Sequence, residues 1–161
     1  MKSDDLKQKV LCYCSHRERT EAEVTRKLEA LGADDALKQH LLAYVKQAGF
    51  INPRRFVETF VHSKLKARWG WHKIAHALSQ KGVSHTWIAW GRSLMEASDY
   101  QRGLLSLARQ KNAMLSAYTP ESRFEKLSRF LLQRGYAFES VQAAAANVIF
   151  EKTDNDPKTH S

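Results

Sequence analysis

VTRKLEALG at 24–32, IAHALSQKG at 74–82 and LSRFLLQRG at 127–135 are three versions of one pattern. In each, an aliphatic residue is followed four positions on by Leu and four further on by Gly. The trios are Val24, Leu28 and Gly32; Ile74, Leu78 and Gly82; and Leu127, Leu131 and Gly135. The glycines recur after 50 and then 53 residues, a period that marks stacked supersecondary units. Residues four apart differ by about 40° around a helix, so each trio lies along one face. The closing Gly supplies the left-handed conformation that stops a helix.

Working outward from these anchors, apolar periodicity predicts helices over 4–16, 21–31 and 34–48, then 53–68, 71–81 and 84–96, then 99–116, 120–134 and 138–151. Thr20 with Glu23 forms a capping box, and Ser98 with Gln101 is a second candidate. Asn52-Pro53 and Thr119-Pro120 each set a capping side chain before a proline at the first helical position. Asp34 and Ser84 follow Gly32 and Gly82 by two residues, which suits a tight turn into a third helix. No segment alternates as a strand does. The expected fold is all-α: three tandem three-helix repeats of helix-turn-helix type, stacked into an elongated rod that can curve. Repeat 1 covers 1–50, the basic and Trp-rich repeat 2 covers 51–97, repeat 3 covers 98–152, and a polar tail covers 153–161.

A chain of 161 residues buries roughly 70% of its unfolded surface, enough for a core without metal or disulfide staples. No stretch approaches the ~20 apolar residues of a membrane span, and MKSDDLKQKVLCYC lacks the cleavage site of a signal peptide. A cytoplasmic protein is expected, with no membrane partner. Cys12 and Cys14 lie two apart on a helix and point in opposed directions, so they do not bridge. Cys12 and His16 have metal-pair spacing, but no second pair follows at zinc spacing. His72 and His76 are likewise four apart, yet HKIAH lacks the Glu of a zinc protease helix. No phosphate loop, nucleophile elbow or paired acids occur. The sequence reads as no enzyme, without metal or cofactor.

Charge is the functional signal. Net charge is +9, and it concentrates between Pro53 and Arg92. There, Arg54, Arg55, Lys64, Lys66, Arg68, Lys73, Lys81 and Arg92 face Glu58 as the lone acid, and all four tryptophans share the segment. A solvated face normally mixes signs; a one-signed, aromatic-rich face suits phosphates or an acidic protein groove. Trp87 and Trp90 read as a core stripe, and Trp69, beside Gly70, as packed under a turn rather than as a base-stacking ring. Lys64, Lys66, Arg68, Lys73 and Lys81 are the first candidates to supply charge to a partner, with Arg54, Arg55 and Arg92 behind them.

The run GFINPRRFVETFVHSKLKARWGWHKIAHALSQKGVSHTWI at 49–88 resembles the central repeat of the RecX family of RecA-regulating proteins. Gly49, Phe50, Ile51, Arg55, Phe56, Gly70, Lys73, Ile74, Leu78, Lys81, Gly82 and Val83 hold the family's places. Arg19-Thr20-x-x-Glu23-Val24-x-x-Lys27-Leu28 matches its first repeat, while the third matches weakly. Asn52-Pro53 departs from the acidic pair common at that turn but caps a helix equally well. The resemblance implies a protein that binds the RecA recombinase and its filament on single-stranded DNA, directly or through the filament. It further implies restraint of filament growth, ATP hydrolysis and strand exchange, within homologous recombination, DNA repair and the SOS response. A monomer is expected separately, since no exposed heptad seam argues for a coiled-coil partner. The alternative is a stand-alone nucleic-acid-binding helical module, since three-helix units resemble helix-turn-helix domains. A protein scaffold whose charge meets only an acidic partner is the third reading.

Overall fold

The computed structural model describes residues 2–150, which places the polar tail at 153–161 and the end of the third repeat outside the described residues. The described residues are all-α: α1 Ser3–His16, α2 Glu21–Ala30, α3 Asp35–Gln47, α4 Pro53–Lys66, α5 Trp71–Gln80, α6 His85–Arg92, α7 Ala97–Met114, α8 Pro120–Gln133 and α9 Phe138–Phe150. They follow the expected repeat of three-helix units. Two compact units form: Met1–Ser63 with Ala75–Leu94, and Lys64–Ile74 with Met95–Ser161. In the first, α1, α2 and α3 pack around Leu6, Val10, Val24, Leu28, Leu41 and Val45. In the second, α7, α8 and α9 close over Leu104, Ala108, Leu127, Leu131, Val141 and Ala144. The aliphatic and Leu members of all three sequence trios are fully buried.

Helix ends obey local chemistry. Gly32, Gly82 and Gly135 have φ of 84°, 83° and 99° and end their helices as the repeat requires. Asp34, Asn52, Ser84 and Thr119 each accept a hydrogen bond from the backbone amide three residues on. Ser98 does not cap its helix. Glu96 does, accepting from the amides of Ser98 and Asp99, because a carboxylate offers two acceptors to orphan amides and favours the positive end of the helix dipole. With Glu96 used in that way, α6 stops at Arg92 instead of running to 96.

Each unit contains the same joint. In the first, the Thr20 hydroxyl at the start of α2 donates to the Lys81 carbonyl past the end of α5, at 2.9 Å. In the second, the Gly70 amide at the start of α5 donates to the Arg134 carbonyl past the end of α8 at 2.7 Å, and His72 donates to Gly135 at 3.1 Å. Lys81 and Arg134 each precede a repeat glycine. A capping hydroxyl in the first unit, and orphan backbone amides in the second, thus meet the carbonyl-rich end of another helix, with the dipoles in favourable order. The glycines are needed for the approach itself: a Cβ on Gly82 would lie 2.7 Å from Ala22 Cβ, and one on Gly135 2.4 Å from Lys73 Cβ.

Thr20 has two duties. Its hydroxyl accepts from the Glu23 amide at 3.1 Å while the Glu23 carboxylate accepts from the Thr20 amide at 3.2 Å, and the same hydroxyl holds Lys81. Replacing it with Ala removes a cap worth about 1 kcal/mol and a joint hydrogen bond worth about another. Thr20→Ala is expected to lose about 2 kcal/mol in urea melts, and Thr20→Ser to keep most of it.

Candidate nucleic-acid interface

The candidate cations are placed by α4, α5, α6 and the turns between them. In the first unit, Arg54 is exposed, its guanidinium carbon 5.3 Å from the Trp90 ring centre. Arg55 is committed within the fold: its Nε donates to Glu18 Oε1 at 2.6 Å and its Nη2 to the Gly49 carbonyl at 3.0 Å. Arg92 is exposed in the last turn of α6. Lys81 is half-buried, 6.0 Å from the Phe60 ring centre, and lines an open cleft of about 700 Å3. Arg26 and Lys27 line the same cleft, with Tyr13, Ala77, Gln80 and Glu23. Its single acid is already engaged, since Glu23 takes Arg17 at 2.8 Å and Arg19 at 3.8 Å. Arg26 and Lys27 were not among the sequence candidates, because they sit among the mixed charges of α2, and only the fold sets them beside Lys81.

In the second unit, Lys66 is exposed in the last turn of α4. Lys64 Nζ and Lys73 Nζ stand 4.5 and 4.2 Å from the centre of the Trp69 ring. Trp69 is half-buried, so its ring is packed in part, and the rest of it is in contact with ammonium groups. Trp87 and Trp90 are half-buried too, meeting edge to face at 5.4 Å instead of filling the core.

Arg68 is the unforeseen residue. It is the one non-glycine with positive φ, 62°, among the described residues. The Arg68 amide bonds the Leu65 carbonyl and the Trp69 amide the Lys64 carbonyl, both at 3.0 Å. This is the helix-closing motif in which Gly normally holds the left-handed position. Arg134 secures it, donating to the carbonyls of Ala67 and Arg68, as a cation does well at a helix C-terminus. The Arg68 guanidinium lies over α7, where a Cβ on Gly103 would stand 2.8 Å from Nη1. Nearby, burial pushes the Tyr136 hydroxyl up to about 12, with Tyr100 adding to the shift and Arg68 and Arg134 opposing it. The left-handed conformation costs a residue with a Cβ about 1–2 kcal/mol. Because the side chain is exposed, its packing recovers less than that, and the greater chain entropy of unfolded Gly offsets only part. Arg68→Gly is expected to raise stability by about 0.5–1 kcal/mol, visible as a higher Tm.

Among the described residues, no group of three or more His, Cys, Asp or Glu is placed to hold a metal ion. Cys12 Sγ is 4.0 Å from His16 Nδ1, but that nitrogen is 2.7 Å from the Cys12 carbonyl. Cys14 is buried, and burial raises its thiol pKa, with Arg19 opposing and Glu18 reinforcing. No helix among the described residues is long and apolar enough to cross a membrane.

The family model described as RecX, second three-helix domain, matches residues 54–90, the segment that carries most of these cations. The regulatory protein RecX of Herbaspirillum seropedicae is 30% identical over 149 residues, covering 92% of this chain and 94% of that protein. The chain belongs to the RecX family. The RecX of Halorhodospira halophila agrees, at 31% identity over 89% of this chain and 88% of its own. RecX proteins also come longer: this chain spans 62% of the Clostridium tetani protein, to which it is 28% identical. The crystal structure of RecX from Lactobacillus salivarius superposes with a TM-score of 0.80 over 91% of this chain and 96% of that one. At 19% identity, that likeness speaks for the all-helical RecX fold and not for a shared site. The family is one of regulatory proteins.

Proposed function

We propose that this RecX-family chain binds the RecA recombinase and its filament on single-stranded DNA, in the cytoplasm. There it restrains filament growth, ATP hydrolysis and strand exchange. The observation that carries the reading is the one-signed charge of residues 53–92, eight cations against Glu58, within the segment that matches the family's second three-helix domain. A nucleoprotein filament offers phosphates and acidic side chains, and such charge favours both.

The contacts these side chains make support some of the cations over others for this role. Arg55 is held by Glu18 and Gly49, and the Arg68 guanidinium lies over α7, so neither is a first choice for partner contact. Lys64, Lys66, Lys73 and Lys81 carry the reading, with Arg54 and Arg92 beside them. Each acts by charge and none performs chemistry. The test is ATP hydrolysis by the cognate recombinase on single-stranded DNA, titrated with this protein. Hydrolysis falling in proportion to added protein supports the reading. Undiminished hydrolysis, at concentrations where this protein alone binds DNA, overturns it in favour of a stand-alone nucleic-acid-binding module.

A further inference from the structure

We propose that Trp69 is a stacking platform for one unpaired nucleobase, and that Lys64 and Lys73 receive the phosphates on either side of it. The inference rests on the nucleic-acid contact proposed above and specifies the ligand it takes. Trp69 lies in the turn between α4 and α5, and its ring is reached from both helices, by Lys64 Nζ at 4.5 Å and Lys73 Nζ at 4.2 Å. The turn is fixed on both sides. Arg68 holds the left-handed position before it, and the Gly70 amide is bonded to Arg134 after it. A half-buried ring in a fixed turn binds with little ordering cost. The other tryptophans are differently placed: Trp71 is buried with its amide on the Tyr100 hydroxyl, and Trp87 and Trp90 cover one another edge to face.

Each ammonium on a ring open to solvent on one side contributes about a factor of 2–5 to an equilibrium, while a base stacked on an aromatic contributes about 5–150. A base therefore displaces an ammonium from the ring, and the displaced lysine, on its flexible stem, is left beside the adjoining phosphate. Two lysines suit the two phosphates that flank any nucleotide. Every base has a stacking face, so the platform takes bases without regard to sequence. Bases within a duplex are already stacked on both faces, so the ligand is a single strand.

The experiment compares binding of the full-length protein to oligodeoxythymidylate and to an abasic phosphodiester of equal length, at one low salt concentration, by fluorescence anisotropy. The wild type is expected to hold the thymidylate about 5- to 100-fold more tightly. Trp69→Ala should abolish that preference, and Trp69→Phe should keep part of it. Both should leave binding of the abasic strand and the salt slope unchanged, since the phosphate contacts remain. Equal wild-type binding to both strands overturns the stacking platform and leaves the charge contact standing. A preference that persists in Trp69→Ala overturns the assignment to Trp69. Binding to neither strand overturns the platform together with direct DNA contact, while recombinase regulation stays measurable through ATP hydrolysis. Should Trp69→Ala not fold, a preference undiminished in Trp69→Phe overturns the assignment, and equal wild-type binding to both strands still overturns the platform.

Discussion

Gly70→Ala is expected to be among the most destabilising single-methyl additions in this chain, at about 3 kcal/mol. Gly70 is buried at the start of α5, and a Cβ there would lie 2.2 Å from the Gly135 carbonyl carbon, 2.3 Å from the Tyr136 nitrogen and 2.4 Å from the Gly135 oxygen. All three are backbone atoms at the end of α8, so no rotamer change relieves the overlap. Separating the two ends also stretches the 2.7 Å bond from Gly70 to Arg134 and the 3.1 Å bond from His72 to Gly135. Overpacking costs about 1–3 kcal/mol, and weakening the hydrogen bonds adds about 1 more. For a chain of this length each kcal/mol lowers Tm by about 2–4 °C. Gly32→Ala is the matched control: Gly32 has φ of 84° but nothing within 4 Å of a Cβ, so only the conformational cost of about 1 kcal/mol applies. Equal destabilisation by the two substitutions would show that the joint at Gly70 can open at little cost.

The contrast between Gly32 and Gly70 also marks how far the sequence reaches. Elements set by local chemistry were legible. The trios lie in the core, the repeat glycines end their helices, and Thr20, Asn52 and Thr119 cap where their residue types and spacing indicated. Features set by contacts distant in sequence were not. Arg68 takes a glycine-type conformation in a turn where its carbonyl is bonded by Arg134, 66 residues away, and no local pattern encodes that contact. Gly49 closes α3 with φ of 82° and is written in the same way as the repeat glycines, but outside their trio. The interface divides along the same line. The run of cations was visible as composition, yet periodicity could not separate Arg55, spent on Glu18, from Lys64 and Lys73, gathered on Trp69. Nor could it join Arg26 and Lys27 to Lys81 in one cleft.

This division shapes the charge-removal experiment. Lys64, Lys66, Lys73 and Lys81 replaced together by Gln should leave the helices intact, because Lys66 is exposed, the other three are half-buried, and none is part of a core cluster. A circular-dichroism melt close to that of the wild type checks this. Removing Arg55 or Arg68 as well would confuse loss of a partner with loss of the Glu18 ion pair or with the change in stability expected at the left-handed position of Arg68, so both stay in place. If each lysine neutralises one phosphate of a single strand, the slope of log K against log salt should shrink by about 0.7 per residue, or about 3 in all. A fourfold rise in salt would then weaken the wild type about 50-fold more than the variant. The protein concentration that halves recombinase ATP hydrolysis should rise by a similar factor at low salt and converge with the wild type as salt increases. A variant that restrains hydrolysis as well as the wild type, at every salt concentration, would remove these four lysines from the interface. The charge of the segment would then serve solubility, and the partner surface would lie on another face of the chain.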